Sequence, residues 1–423
     1  MRITVALIVK NEERTLARCL SSLAGAGVEI LVVDTGSTDS TVEIARRFTD
    51  RVHHFAWCDD FAAARQHAFD LVEADWVMWL DADDVVHGAE RLRGLAASAA
   101  AGVSGFQLRY VYEQDEWGAP VCELWRERLV RRDAGFRWRG RVHEVLVCDG
   151  PHRLARSGEV YVEHRPERSR AAEKSGRNLR ILEDEYRRLL EAGRRPGSRL
   201  LFYLANELLG AGRERRALAL YRECLRESVW DEERYFVRTR VAAVHRRAGR
   251  WGRAVESDLG ALRVCPERPE AYFGLAESYY HLGDWAKVRH WCEVGRAVRA
   301  HDVDLFVNPR ANSFDWIILY TNALYRLGDV RAALDWTRRA LELRPADAWH
   351  RANFLFFAGE LAKDAEGGRS LEEGHYAVPP ATGVAPAGGG LAPDHDRLDN
   401  GGAFPLHPGA REALAATSTE ATT

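Results

Sequence analysis

The sequence lacks a large excess of charge of either sign. Its 423 residues include 60 Lys and Arg against 63 Asp and Glu, which gives a net charge of −3. A balance this close to neutral argues against a general polyanion-binding surface, so neither nucleic acid nor an anionic membrane is expected as a partner. Basic residues do cluster locally at 126–141, which leaves room for a diphosphate site there.

Long apolar runs are also missing. No stretch approaches the roughly 20 apolar residues that a membrane-spanning helix needs. The apolar start at 1–9 is too short for a signal-peptide core with its cleavage site. The seven cysteines are scattered without CxxC spacing, so reduced thiols are expected and a zinc site is not. These absences predict a cytoplasmic protein without a membrane span.

The first 80 residues alternate between strand-like and helix-like segments. Runs at 3–9, 29–33 and 76–80 are mostly apolar, as in strands that are buried on both faces. Strand–helix alternation with short connections predicts a doubly wound parallel sheet. Between Gly105 and His164, shorter alternating segments predict antiparallel strands added at one edge of that sheet.

The C-terminal half is repetitive. Four turn signals lie 37, 34 and 45 residues apart, at Gly212, Gly249, Gly283 and Gly328. Five residues after each turn comes a small or short apolar residue, namely Ala217, Ala254, Val288 and Ala333. Helix–turn–helix units with a period near 34 resemble tetratricopeptide repeats, here with an insertion of about 11 residues around 302–313. About four such units are expected to stack into a continuous core.

These patterns divide the chain into four parts. Residues 1–165 form an α/β domain, 166–196 a linking helix, and 197–362 an all-α solenoid of helical repeats. The tail at 363–423 is rich in Gly, Ala, Pro and Thr and poor in hydrophobic residues. Such a segment cannot offset the entropy cost of ordering, so it is predicted to be disordered.

Acidic residues follow one of the predicted strands. Asp81, Asp83 and Asp84 come directly after the apolar run at 76–80, at the strand end where open α/β sheets bind ligands. Side chains alternate along a strand, so Asp81 and Asp83 start on one side and Asp84 points away. No basic residue stands nearby in sequence, and a divalent cation would remove the repulsion. The alternative is an acidic turn that caps the next helix.

A further acidic residue, Asp34, directly follows the run at 29–33. It is followed by TGSTD, a tight turn into a helix. Capping of that helix is assigned to Ser37 or Asp39. Asp34 is then expected to be free to accept a hydrogen bond from a ligand.

Three motifs together resemble family 2 glycosyltransferases of the GT-A fold. They are VALIVKNE at 5–12, VVDTGSTD at 32–39 and LDADD at 80–84. Their order and spacing within the first 85 residues make the match specific. The resemblance implies a Rossmann-like GT-A domain that transfers a sugar from a nucleoside diphosphate donor, usually a UDP-sugar, with Mn²⁺ or Mg²⁺ as the cofactor.

The resemblance also implies roles for individual residues. Asp34 would recognise the base of the nucleotide, beside backbone groups near 7–10. Asp81 would contact the ribose and the water shell of the metal, and Asp83 would bind the metal. The residues expected to bind the nucleotide-sugar are Leu7, Val9, Asn11, Glu12, Asp34, Arg65, Asp81, Lys174 and Arg177.

The segment DDFAAAR at 59–65 resembles a further segment of one subgroup of these enzymes. There an Arg on this helix faces the nucleotide, which would be the role of Arg65. The subgroup commonly has Asn at the next position, where this chain has Gln66. The alternative for Arg65 is an ordinary solvated helix charge.

A general base is needed for transfer with inversion, because a carboxylate must take the proton of the acceptor. Glu144 is the candidate, in the segment WRGRVHE at 138–144. This segment resembles the Gly-x-Val-His-Glu motif of the subgroup that carries helical repeats. The alternative is that Glu144 pairs with Arg139 or Arg141.

Three residues further along are weaker candidates. His164 follows a strand and could be a third metal ligand, since an imidazole suits Mn²⁺ better than Mg²⁺. Lys174 and Arg177 could neutralise the departing diphosphate. A structural histidine and a solvated helix face are the alternatives.

A glycosyltransferase with a peptide or protein acceptor is therefore the preferred hypothesis, because concave repeat surfaces bind extended peptides. The nucleophile of the acceptor stays open between Ser, Thr and Cys. Nucleotidyl transfer also uses paired Asp and Mg²⁺, but the loop after the first strand lacks the glycines and basic residues that hold a triphosphate. A non-catalytic repeat scaffold with a degenerate sugar-nucleotide domain is the third alternative.

Overall fold

The computed structural model describes residues 1–115, 117–167, 171–298, 308–309 and 311–365. It divides into two compact units, the first comprising Met1–Arg213 and the second beginning at Glu214. The linking helix and the first helix of the predicted repeats therefore group with the α/β domain. Most of the tail at 363–423, from residue 366 onward, lies outside the described residues.

The strands of the first unit are β1 (Ile3–Val9), β2 (Glu29–Asp34), β3 (Val52–His54), β4 (Trp76–Leu80), β5 (Asp84–His87), β6 (Gly105–Gln114), β7 (Pro120–Arg131), β8 (Phe136–Arg139), β9 (Val145–Cys148) and β10 (Leu154–His164). Its helices are α1 (Leu16–Ser21), α2 (Thr41–Arg46), α3 (Phe61–Asp70), α4 (Leu92–Ala97), α5 (Ala171–Glu191) and α6 (Ser198–Gly210). Two single 3₁₀ turns, Ala89–Arg91 and Arg132–Ala134, complete this unit.

Eight of these strands form one sheet in the order β3-β2-β1-β4-β7-β6-β10-β5. The first four strands run parallel, as the apolar runs predict. Strand β7 then pairs antiparallel with β4 and β6, whereas β10 runs parallel to β6. The prediction of an α/β sheet with antiparallel additions is confirmed, except that β10 departs from the antiparallel pattern. Strands β8 and β9 form a separate hairpin.

The central strand β1 positions the site. It lies between β2 and β4, with Val9 opposite Asp34 and Leu7 opposite Leu80. All five residues of β4 are buried, because both faces of the sheet are covered at this point. The carboxyl ends of β1, β2 and β4 therefore meet at one edge, which is where the acidic motifs lie.

The helices of the second unit are α7 (Glu214–Glu227), α8 (Asp231–Arg247), α9 (Trp251–Leu262), α10 (Glu270–His281), α11 (Trp285–Ala297), α12 (Ile317–Arg326), α13 (Val330–Leu343) and α14 (Ala348–Ala365). The four turn glycines have positive φ angles of 66° to 86°, a conformation in which glycine carries no steric penalty. The small residues that follow them, Ala217, Ala254, Val288 and Ala333, are all fully buried. The helix–turn–helix pattern is thus confirmed.

The predicted insertion at 302–313 falls largely outside the described residues. Within it, Ala311–Asp315 forms one π-helical turn directly before α12.

A charged cluster is buried inside the second unit. Arg246 forms an ion pair with Asp258, and its Nε lies 3.1 Å from Glu277 Oε2. Burial raises the pKa of Asp258 to about 6 and that of Glu277 to about 7. Arg246 also donates to the carbonyl of Gly274 at 3.3 Å. The helices α8, α9 and α10 are thus joined through one guanidinium.

We predict that Gly274→Ala destabilises the second unit. A Cβ at this position would lie 2.7 Å from Asp258 Oδ2 and 2.8 Å from Arg246 Nη1. Overpacking of this kind costs about 1–3 kcal/mol, which outweighs the gain of ~1 kcal/mol in helix propensity. Denaturant unfolding followed by circular dichroism measures the loss. Gly252→Ala in α9 is the matched control, since nothing lies within 4 Å of its Cβ. Equal midpoints for the two variants would contradict the prediction.

Candidate functional site

A cavity of about 310 Å³ opens at the carboxyl ends of β1 and β4. It is lined by most of the residues predicted for the site, namely Val9, Asn11, Glu12, Arg65, Asp81, Asp83, Glu144 and Arg177. We call it the donor cavity. Segments far apart in sequence meet here. The walls come from β1, β4, α3, α5 and the connection between β8 and β9.

Four predicted residues stand apart from this lining. Leu7 is fully buried in the sheet, so only its backbone is near the strand end. Asp34 and His164 do not line the cavity. The side chain of Lys174 lies outside the described residues.

Asp34 caps its own turn. Its carboxylate accepts hydrogen bonds from the backbone N–H groups of Gly36 and Ser37 at 3.1 Å, and His54 Nδ1 lies 3.3 Å away. Only 3% of the residue is exposed. The expectation that Asp34 is free for a ligand is therefore wrong, because the turn that follows β2 folds back onto it. Its role in base recognition stays a prediction.

Asn11 and Glu12 join the loop after β1 to the loop after β2. The backbone N–H of Asn11 donates to Ser37 Oγ at 2.9 Å, and its side-chain oxygen accepts from the N–H of Thr38 at 2.7 Å. The N–H of Glu12 donates to Thr41 Oγ1 at 2.6 Å. These bonds hold the rim of the donor cavity in one conformation.

Asp84 holds the segment between β4 and β5 in place from inside the protein. We call this segment, residues 81–83, the acidic loop. Asp84 is fully buried, and its Oδ2 accepts the backbone N–H of Asp81 at 3.0 Å. Arg128 Nη1 lies 3.1 Å from the same oxygen, and the hydroxyl of Tyr110 donates to Oδ1 at 2.9 Å. Burial raises the pKa of Asp84 to about 6. As the strand alternation predicts, Asp84 points away from the cavity.

The carboxylates of the acidic loop have basic neighbours from other elements. Asp81 pairs with Arg65 on α3. Asp83 Oδ2 lies 3.3 Å from His164 Nε2 at the end of β10. The argument that these carboxylates need a metal because they lack basic neighbours is thus wrong: the basic groups are distant in sequence and close in space.

Arg65 links the two carboxylates that matter most for the predicted chemistry. Its Nε donates to Glu144 Oε1 at 2.5 Å, while Nη2 pairs with Asp81. Arg65 is 6% exposed, and its guanidinium lies over the rings of Trp79 and Trp138, 4.7 and 5.1 Å from their centroids. The alternative of a solvated helix charge is therefore wrong. We call Arg65, Asp81 and Glu144 the carboxylate bridge.

Glu144 does not pair with its neighbours in sequence. Arg139 pairs with Asp149, and Arg141 pairs with Asp184. Burial on its own raises the pKa of Glu144, but the charge and hydrogen bond of Arg65 outweigh burial and lower the pKa overall. Glu144 is consequently ionised at neutral pH, the state that a general base requires.

His164 is oriented by a backbone carbonyl. Its Nδ1 lies 3.2 Å from the carbonyl oxygen of Tyr112, and its ring stacks on that of Tyr112 with centroids 4.6 Å apart. In the neutral imidazole, donation from Nδ1 leaves a lone pair on Nε2, the ring nitrogen that faces Asp83. A lone pair and a carboxylate oxygen at 3.3 Å favour a cation or a proton between them. The donor set fits a divalent metal.

The rest of a metal coordination shell would have to come from substrate. Across the described part of the chain, no group of three or more His, Cys, Asp and Glu is arranged to hold a metal ion. This is compatible with Mg²⁺ or Mn²⁺, which commonly takes one or two carboxylates and completes its shell with phosphate oxygens and water.

Aromatic residues of the donor cavity escape prediction from the sequence. Trp57 and Phe61 line it with their ring centroids 4.7 Å apart, and the guanidinium of Arg177 lies over Phe61 at 4.8 Å. Trp57 lies just beyond β3 as Asp34 ends β2, and that position is the signal that could have found it. Planar rings at this edge can stack on a nucleotide base.

The N-terminal part of the chain is similar in sequence to known glycosyltransferases. The model of the family described as "Glycosyl transferase family 2" matches residues 4–154. Over 164 residues the chain is 31% identical to the lipopolysaccharide core biosynthesis glycosyltransferase LpsC of Rhizobium meliloti, covering 36% of this chain and 60% of LpsC. Over 245 residues it is 24% identical to the SPbeta prophage-derived glycosyltransferase SunS of Bacillus subtilis, covering 56% of each protein.

A third relative is a TPR repeat-containing protein of Synechococcus elongatus, 40% identical over 83 residues that make up 20% of this chain and 21% of that protein. The chain spans less than two thirds of the length of each of these curated relatives. The match to the family 2 glycosyltransferase model thus lies within the first unit, and helix pairs with the pattern of tetratricopeptide repeats follow it. In the described residues, every helix is too short or too polar to cross a membrane.

We predict that Arg65→Met destabilises the first unit by about 3 kcal/mol, because it leaves two carboxylates close together without their shared cation. Thermal and denaturant unfolding measure the loss. Adding Glu144→Gln to Arg65→Met should restore part of the stability, since it removes one of the two charges. Arg137→Met, at an exposed position of β8, is the control. If the single and double variants are equally unstable, the carboxylate bridge is not what Arg65 contributes.

Proposed function

We propose that the chain is a glycosyltransferase that moves a sugar from a UDP-sugar to an acceptor. The observation that supports this most is the donor cavity. It lies in the part of the chain that matches the family 2 model, and it is lined by Asp81, Asp83, Glu144 and Arg177. Trp57 and Phe61 would stack on the base, and the rim around Val9 would contact the nucleoside through its backbone. This arrangement suits a nucleoside diphosphate better than a triphosphate, because basic side chains are few at the end of β1.

The reaction would be a direct displacement with inversion. The acceptor's oxygen or sulfur attacks the anomeric carbon, and the bond from that carbon to the diphosphate oxygen breaks. Glu144 takes the proton of the acceptor, so no free hydroxide is needed. Arg177 offsets the negative charge that develops on the departing diphosphate. Arg65 acts as a positioning residue, because it keeps Glu144 ionised and fixed next to Asp81.

Asp83 and His164 would hold a divalent cation, either Mn²⁺ or Mg²⁺. When bound, this ion would stabilise the charge of the diphosphate leaving group. The preference between the two metals depends on His164, since an imidazole ligand favours Mn²⁺.

The acceptor would be a peptide or a protein that binds to the second unit. Stacked helix pairs present extended surfaces of the kind that bind peptides. The nucleophile would be a Ser or Thr hydroxyl or a Cys thiol of that peptide.

We predict that Glu144→Gln lowers kcat by about 10²- to 10⁴-fold while UDP binding is retained, because a general base contributes about that much. Donor hydrolysis and transfer to a peptide panel measure kcat, and calorimetry measures UDP affinity. Glu159→Gln, at an exposed position of β10, is the control. Full activity of Glu144→Gln would show that another group, or water, takes the proton.

We predict that Asp83→Asn removes the part of UDP affinity that depends on Mn²⁺. Calorimetric titration with UDP, with and without Mn²⁺, measures the difference, and Asp133→Asn on the surface is the control. If the wild-type protein binds UDP equally well without metal, the metal proposal is wrong. Tight UTP binding with release of pyrophosphate would indicate a nucleotidyltransferase instead, and absence of any nucleotide binding would indicate a scaffold.

A further inference from the structure

A second, smaller cavity of about 60 Å³ lies on the other side of the carboxylate bridge. It shares Arg65, Asp81, His143 and Glu144 with the donor cavity. Its remaining wall contains three arginines, Arg126, Arg128 and Arg199. We call it the arginine cavity. Because it adjoins the predicted base, it lies where the transferred sugar would meet the acceptor.

The arginine cavity has an excess of positive charge. Arg128 is balanced by Asp84. Arg199 Nη2 donates to the carbonyl of His143 at 2.7 Å, and its guanidinium lies 4.9 Å from the centroid of Tyr203. Arg126 lies 5.3 Å from the ring centroid of Trp79. Within the described part of the chain, neither Arg126 nor Arg199 pairs with a carboxylate.

Arg128 is closed off from a ligand in this cavity. It is fully buried, and its guanidinium lies between the rings of Trp79 and Tyr110, 3.7 and 4.3 Å from their centroids. Its Nε and Nη2 atoms have almost no accessible surface. Arg126 and Arg199 are half-buried, so they are the arginines of this wall that a bound group would contact.

The size and charge of the cavity favour a carboxylate. A volume of about 60 Å³ holds a small group, since one water needs ~10–15 Å³ on this measure. Guanidinium groups match planar carboxylates with paired hydrogen bonds. Asp81 and Glu144 in the shared wall would repel a doubly charged phosphate more strongly than a singly charged carboxylate.

We propose that the arginine cavity binds the carboxylate of an acidic sugar, so that the enzyme uses a sugar of the uronic acid class. This inference rests on the proposed function and adds the class of substrate. The acidic sugar is either the one transferred or one already attached to the acceptor, and the same arginines would recognise it in both cases.

The test compares UDP-glucose and UDP-galactose with the corresponding UDP-hexuronic acids. Calorimetry gives the affinities, and a donor-hydrolysis assay gives the rates. We expect the wild-type protein to prefer a uronic acid donor by roughly 10- to 100-fold, the range expected for hydrogen bonds to a charged group. Arg126→Gln and Arg199→Gln should each reduce this preference, with affinity for UDP itself unchanged. Arg137→Gln is the control for loss of a surface arginine.

A second arm offers acceptors with and without a terminal uronic acid and supplies a neutral donor. Preference for the acidic acceptor that is lost in Arg126→Gln would place the carboxylate on the acceptor and support the proposal. Preference for neutral or phosphorylated sugars in both arms, with UDP binding intact, would overturn the proposal and leave the transferase assignment standing. Absence of UDP binding would overturn the proposed function as well.

Discussion

The ion pairs of Arg65 are the interaction on which the candidate site depends. Three carboxylates, Asp81, Asp84 and Glu144, lie close together near the carboxyl end of β4. Their mutual repulsion would be large without cations in fixed positions. Arg65 compensates two of them and Arg128 compensates the third. Both guanidinium groups are held by the ring of Trp79, so the charges and the hydrophobic core are built from the same residues.

This constraint separates two roles within the acidic motif. Asp84 is used inside the protein, where it fixes the loop that carries Asp81. Asp83 lines the donor cavity, and its Oδ2 lies 3.3 Å from Nε2 of His164. Adjacent aspartates are thus divided between the protein interior and the cavity, because successive side chains at the end of a strand point in opposite directions.

Much of the fold follows from local patterns. The mostly apolar runs at 3–9 and 76–80 become central strands, since only strands covered on both faces tolerate such runs. The glycines at 249, 283 and 328 become the turns of helix pairs, because their positive φ angles exclude most other residues. The parallel pairing of β10 with β6 could not be predicted from the sequence, because the direction of a strand added at the edge of a sheet depends on the path of a long connection.

The candidate site shows the same division. Strand ends are local features, so the sequence itself determined that Asp34, Asp81 and Asp83 lie at the carboxyl edge of the sheet. Partners are tertiary features: only folding brought Arg65 to Glu144 and placed His164 opposite Asp83. The physical reason is range. Backbone geometry and hydrophobic periodicity act over a few residues, whereas an ion pair in a protein interior joins any two segments that the sheet brings together.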